Sequence, residues 1–327
     1  MVEIAHRTIE ANGIRIRLAE AGGGPLVLLC HGFPESWYSW RHQLHGLAEA
    51  GYRAVAPDMR GYGGTDRPDA IDQYTIFHLV GDMVGVLDAL GADQAVIAGH
   101  DWGGPVAWHA AQWRPDRFRG VIGVSTPFYP RGAVRPLASL PRSEQAESYQ
   151  LFFQTPGVAE AELERDPRRS IQTFLYSLSG NNPRTAEDRT GDHALGMVQR
   201  GGAFLPSLTD PAPLPPWLTE ADIDVYAAEF ARSGFRGGLN WYRNIDRNWE
   251  LTAPFAGLPV TVPALYIAGE RDFAIKSRGA KGLIANLAKF VPQLRQTIML
   301  LDCGHWTQQE RPAEVSAAMI GFLNALA

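Results

Sequence analysis

From His6 to Ala19 apolar and polar residues alternate on both sides of Asn12-Gly13. A period of two marks strands with one buried face, and Asn-Gly supplies the positive φ angles of a tight hairpin, so the chain is expected to open with two antiparallel strands. Short apolar runs follow at 26–30, 53–57, 95–98, 120–125, 264–268 and 298–301. These do not alternate, which suits strands covered on both faces. Between them lie helical patterns such as 76–90, where Leu79, Val80, Met83, Val86, Leu87 and Leu90 recur at three- and four-residue spacing. Strand and helix in alternation imply an α/β fold with a mostly parallel central sheet flanked by helices.

The alternation stops near Thr126 and resumes near Val262. The interval holds helical stretches, a Pro-rich loop at 210–216 and no convincing buried strand. One helix is well marked: Thr219 can cap it, Ile223, Tyr226, Ala227 and Phe230 form its apolar stripe, and Gly234 can end it. The expected organisation is a core built from residues 1–127 and 251–327, with residues 128–250 inserted as a helical cap.

Composition narrows the function classes. Of 327 residues, 45% are hydrophobic and 20% charged, as in a globular protein with a large core. Lys plus Arg is 30 against 35 for Asp plus Glu, a net charge of −5 with no basic run, so the electrostatic footprint of a nucleic-acid binder is missing. No apolar stretch approaches the ~20 residues of a membrane span. The N-terminus lacks the basic start and apolar run of a secretory signal, and residence in the cytoplasm is the expectation. Cys30 and Cys303, the only cysteines, provide neither a disulfide framework nor a ligand spacing. No metal or cofactor is expected, and the chain is expected to be a monomer or homodimer.

The segment Gly99-His100-Asp101-Trp102-Gly103 runs from a strand through a sharp turn into a helix. It has the Gly-x-nucleophile-x-Gly pattern of a nucleophile elbow, with Asp where Ser usually stands, and small residues at 99 and 103 let strand and helix approach. Three other strand ends complete a constellation. His31-Gly32-Phe33-Pro34 forms a tight loop whose Phe33 N–H can pair with that of Trp102 as an oxyanion hole. Asp272 follows one strand and His305 another, giving the chain order nucleophile, acid, base. Glu270 is a rival to Asp272 for the acid; His31 is read as stabilising its loop, and His100 as a core residue.

Together with His31-Gly32-Phe33-Pro34-Glu35-Ser36-Trp37, Gly99-His100-Asp101-Trp102-Gly103 and Gly304-His305-Trp306, the segments Ser148-Tyr149-Gln150 and Asn240-Trp241-Tyr242-Arg243-Asn244 resemble those of the soluble epoxide hydrolases of the α/β-hydrolase superfamily, over essentially the whole chain. The resemblance is to the bacterial type, without the phosphatase domain or membrane anchor of other members. It implies that Tyr149 and Tyr242 are cap tyrosines holding the epoxide oxygen. The substrates implied are a small neutral epoxide and water. The expected chemistry is attack by Asp101 on a ring carbon, then hydrolysis of the resulting ester by water that His305 activates while Asp272 orients the ring. Trp37, Phe128, Phe153 and Trp306 are expected to wall the pocket. Two alternatives are a haloalkane or haloacid dehalogenase, which shares the Asp nucleophile, and a non-catalytic receptor on the same fold. Phe33 offers no side-chain donor for a halide, and binding alone does not require Asp101, Asp272 and His305 together.

Overall fold

A computed structural model describes residues 2–186, 191–210, 213–276 and 279–326. The strands are β1 (Ala5–Ala11), β2 (Ile14–Ala21), β3 (Leu26–Cys30), β4 (Arg53–Pro57), β5 (Ala95–His100), β6 (Phe118–Val124), β7 (Ala146–Ser148), β8 (Met197–Gln199), β9 (Ala264–Gly269) and β10 (Leu294–Leu300). Eight of them form one sheet in the order β1-β2-β4-β3-β5-β6-β9-β10. The β1–β2 hairpin and the β2–β4 pair are antiparallel and every other pair is parallel. Asn12 at φ +49° and Gly13 at φ +77° make the hairpin turn, as the dipeptide requires.

Strands β3, β5 and β9 are buried along their whole length. Helices cover both faces of the sheet, which is why these runs are apolar without alternation. The helix Ile76–Ala89 buries Leu79, Val80, Met83, Val86 and Leu87 against it. The helix also buries Asp82, whose carboxylate takes the Arg60 guanidinium at 2.5 and 2.8 Å. Strand β10 starts earlier than the apolar run at 298–301 suggests, because an edge strand tolerates the polar Arg295, Gln296 and Thr297.

Between β6 and β9 the chain is largely helical and projects over the C-terminal ends of the parallel strands. Against the sequence expectation, this interval also contains strands: β7 and β8 form a small antiparallel sheet with Ala146, Ser148, Met197 and Val198 buried. Three residues per strand are too few to show a period of two. The helix Glu220–Ser233 starts on Thr219, whose hydroxyl accepts the Asp222 N–H while the Asp222 carboxylate accepts the Thr219 N–H. This helix packs on Pro167–Ser177 and is clamped to the sheet domain by Arg41–Asp222 at 3.1 Å and Arg17–Glu229 at 3.0 Å. Part of the Pro-rich loop, 211–212, lies outside the described residues. Among the described residues no helix is long and apolar enough to cross a membrane.

Arg60 and Asp82 are both almost fully buried, so removing one partner strands the other charge away from water. Asp82→Ala is expected to lower unfolding free energy by about 3–5 kcal/mol in urea denaturation; a loss below about 1 kcal/mol would show that water reaches Arg60 in the folded state.

Candidate active site

Asp101 stands one residue past β5 with φ +50°, a left-handed backbone that few non-glycine residues adopt. The backbone packing around it explains the glycines. A Cβ on Gly99 would overlap the Gly103 carbonyl, one on Gly103 would overlap the Cys30 carbonyl, and one on Gly32 would overlap the Asp101 side chain. Strand end, elbow and first loop are thus pressed together, and the carboxylate is lifted above the sheet. The Phe33 N–H donates to Asp101 Oδ1 at 2.8 Å. Trp102 follows directly and leads into the helix Gly103–Trp113, so its backbone N–H lies at the positive end of that helix.

Asp272 lies three residues after β9 and His305 five after β10. His305 Nδ1 donates to Asp272 Oδ1 at 2.9 Å, and its Nε2 faces Asp101 Oδ2 at 3.4 Å. Asp272 is fully buried and its Oδ1 also accepts the Ala274 N–H. Burial alone would push the His305 imidazole down, but the charges of Asp272 and Asp101 and their hydrogen bonds hold it well above its ordinary value. Burial would likewise raise the Asp101 carboxyl; the bond to His305, the charges of His305 and His100 and the Phe33 N–H together keep it below the usual carboxylate range. The free site therefore holds an ionised Asp101 beside an imidazolium.

A second buried network lies beneath. Glu35 Oε2 accepts the Gly32 N–H at 2.8 Å and His100 Nδ1 at 2.7 Å, while Gln308 donates to Oε1 at 3.1 Å. His100 Nε2 reaches the His305 carbonyl at 2.7 Å, a carbonyl that also accepts the Ser125 hydroxyl at 2.8 Å. Both ring nitrogens of His100 face acceptors, so it links the oxyanion loop to the His305 backbone in addition to filling the core. His31 does hold its own loop: Nε2 accepts the Met59 N–H at 3.0 Å and Nδ1 bonds the Gly32 carbonyl at 2.9 Å. Burial pushes its pKa down to about 4, so it is neutral. Glu310 accepts the Gly180, Gly304 and Trp306 N–H groups at 2.9, 3.0 and 3.1 Å, bracketing His305 on both sides. Sequence reasoning assigned no role to Glu35 or Glu310. Glu35 directly follows the His31–Pro34 loop, which could have marked it, whereas Glu310 lies among Thr307, Gln308, Gln309 and Arg311, where nothing local singles it out.

Above the carboxylate are the two tyrosines. Tyr149 begins the short helix Tyr149–Phe152 and Tyr242 sits near the end of Arg236–Arg243, their ring centroids 5.9 Å apart. Gly237 and Gly238 let the second helix press onto Gly61 and Tyr62, and Trp241 donates to the Arg60 carbonyl at 3.1 Å, which seats Tyr242 over Trp102 with ring centroids 5.1 Å apart. Burial pushes both phenols upward, reinforced by the Asp101 charge, so both are protonated at neutral pH.

Asp101, His305, Tyr149 and Tyr242 all line one cavity of about 400 Å³, mouth included, whose other walls include Phe33, Phe174, Leu178, Phe204, Leu208 and Phe273. The four aromatics expected as walls do not border it. Trp37 lies under the sheet's other side, stacked edge-on against His6 at 4.6 Å. Phe128 packs on Trp108 at 6.1 Å. Phe153 is fully buried behind Tyr149, Tyr242 and Phe204 and supports the wall from the rear. Trp306 is turned away by its N–H, which donates to the Leu175 carbonyl at 2.7 Å behind His305. Nearness in sequence to a catalytic residue does not fix the side on which a ring packs. Glu270, the rival acid, is exposed, whereas Asp272 is buried and bonds His305 directly.

Residues 25–312 match the family model of the alpha/beta hydrolase fold. The chain is 44% identical to epoxide hydrolase A of Mycobacterium tuberculosis over 98% of its length and 97% of that protein's. It is 42% identical to the mouse bifunctional epoxide hydrolase 2 over 95% of its length, matching 54% of that larger protein. Among solved structures, an epoxide hydrolase from an endophytic Streptomyces superposes with a TM-score of 0.92 at 45% identity, covering 99% of this chain and 96% of that one. With a whole-chain match to proteins of one kind and a shared sheet and cap, the chain belongs to the epoxide hydrolase family of the α/β-hydrolase fold.

Proposed function

We propose that this chain hydrolyses epoxides to vicinal diols through an alkyl ester on Asp101. The observation that carries this reading is the shared cavity: an ionised carboxylate and its imidazole partner face two protonated phenols across a space walled by apolar side chains. An epoxide carbon is opened by in-line displacement, for which a carboxylate needs no base. Asp101 attacks one ring carbon, the C–O bond breaks, and the alkoxide takes a proton from Tyr149 or Tyr242.

Esterification changes the electrostatics of the second step. Asp101 becomes neutral, so His305 loses one of the two charges that hold its pKa up and can give its proton back to the phenolate. The neutral imidazole then takes a proton from water, and hydroxide adds to the Asp101 carbonyl carbon. The Phe33 N–H that now holds Oδ1 would hold the oxyanion, with the Trp102 N–H as its partner. Asp272 keeps the proton-bearing nitrogen turned away from the ester. Collapse releases the diol, its oxygen protonated by the attacking hydroxyl, while His305 keeps the other water proton, which restores the imidazolium beside the Asp101 carboxylate. In this scheme residues 128–250 act as a lid that brings the phenols to a core formed by 1–127 and 251–327.

Styrene oxide is expected to give its diol, with 1-bromobutane unreactive; rapid bromide release without diol from the epoxide would instead favour a dehalogenase. His305→Gln is expected to trap the ester, adding one substrate mass to the intact protein, and a fully active variant without adduct would remove His305 from the hydrolytic step. The pH dependence should separate the two steps. Alkylation needs only ionised Asp101, whose pKa is depressed, so it persists into mild acid. Hydrolysis needs neutral His305 and declines as pH falls. The ester fraction of the wild-type protein, measured by acid quench and mass spectrometry, is therefore expected to be larger at pH about 5 than at about 8; an equal fraction at both would contradict the base role.

A further inference from the structure

The two phenols take side-chain hydrogen bonds from different neighbours, Tyr242 from Trp102 and Tyr149 from Gln150. Gln150 follows Tyr149, and its amide Nε2 donates to the Tyr149 hydroxyl oxygen at 3.2 Å. Gly196, in the left-handed region at φ +82°, lies flat against the same ring: a Cβ there would sit 3.0 Å from Tyr149 Cδ1, and its carbonyl accepts the Tyr149 N–H at 2.8 Å. The Gln154 amide spans the two tyrosine segments, donating to the Gln150 carbonyl at 2.7 Å and to the Tyr242 carbonyl at 3.0 Å. The ring, backbone and oxygen lone pair of Tyr149 are therefore all fixed by neighbours, and what remains adjustable is the direction of its single O–H.

We propose that Gln150 is a positioning residue for Tyr149 as an acid, occupying a lone pair of its hydroxyl so that the O–H is aimed into the cavity at the epoxide oxygen. The inference rests on the reading of Tyr149 as a proton donor. When the C–O bond of the epoxide breaks and the alkoxide takes the Tyr149 proton, the electron pair left on the phenolate oxygen gains its compensating hydrogen bond from the same Gln150 N–H. A hydrogen bond to a charged acceptor is stronger than one to a neutral phenol, so the amide favours the transferred state over the starting state. Burial opposes ionisation of this phenol, and the Gln150 bond is the first of the influences that pull the other way. His305 later returns the proton, so the ring opens and closes its proton balance without any further acid.

The test is a double-substitution cycle on the rate of alkylation, read as the burst of ester formation under single turnover. Gln150→Met keeps length and burial but removes the donor, and is expected to slow alkylation about tenfold with ester hydrolysis unchanged. Gln150→Glu offers the phenol an acceptor, which turns the O–H away from the epoxide, and is expected to slow it further. In a Tyr149→Phe background, Gln150→Met is expected to have no additional effect, because the amide acts only through the hydroxyl. Unchanged or faster alkylation in Gln150→Met, or a full additional loss in the Tyr149→Phe background, would overturn the proposal. Tyr149→Phe at full alkylation rate would instead remove the donor role of Tyr149 itself.

Discussion

A carboxylate is held where a strand end, a loop and a helix start press their backbones together, and most of the site follows from that constraint. Asp101 takes a left-handed conformation because β5 must turn into its helix within two residues, and Gly99, Gly103 and Gly32 leave no room for any Cβ around the turn. The strain is tolerated because surrounding structure determines it from several directions. In return the carboxylate is fixed against the Phe33 N–H and within reach of His305, with little freedom to reorganise during reaction.

The electrostatics are built on that placement. His305 lies between two carboxylates, Asp272, which bonds its Nδ1, and Asp101, which faces its Nε2. In the proposed mechanism its proton affinity is tied to the covalent state of Asp101: high while that carboxylate is free, lower once it is esterified. A single imidazole can then neutralise the carboxylate in the first half of the cycle and act as a base in the second. The supporting shell serves the same geometry, since Glu35 with His100, Ser125 and Glu310 all bond backbone groups of the His31–Phe33 loop or the Gly304–Trp306 turn. Buried carboxylates with several donors each are costly to disturb, which keeps those loops in one arrangement.

The segment over the strand ends supplies the two phenols and most of the apolar walls, and its attachment combines charge with close packing. Arg17, Arg41 and Tyr38 reach up to Glu229 and Asp222, and glycines at 61 and 237 allow the backbones to touch. Tyr242 is thus positioned by contacts to the sheet domain, while Tyr149 is positioned mainly by its own neighbours, Gln150 and Gly196. The two phenols reach the same cavity by different structural routes, and this asymmetry gives them different surroundings.

The sequence by itself determined the hairpin at Asn12-Gly13, the buried parallel strands, the elbow at Asp101 and the order of Asp101, Asp272 and His305. Each of these is written in local periodicity or in a turn that only certain residues can make. The resemblance added Tyr149 and Tyr242. The small β7–β8 sheet was invisible because its strands are too short for a period, and Phe153 and Trp306, close to Tyr149 and His305 in sequence, pack behind them instead of lining the cavity. Tertiary structure alone decided which of the many aromatics face the substrate space, that Phe174, Phe204 and Phe273 do so, and that Glu35, Gln150 and Glu310 support the reacting groups. The physical reason is that local patterns report whether a side chain is buried, whereas its neighbours are set by how segments distant in sequence come together.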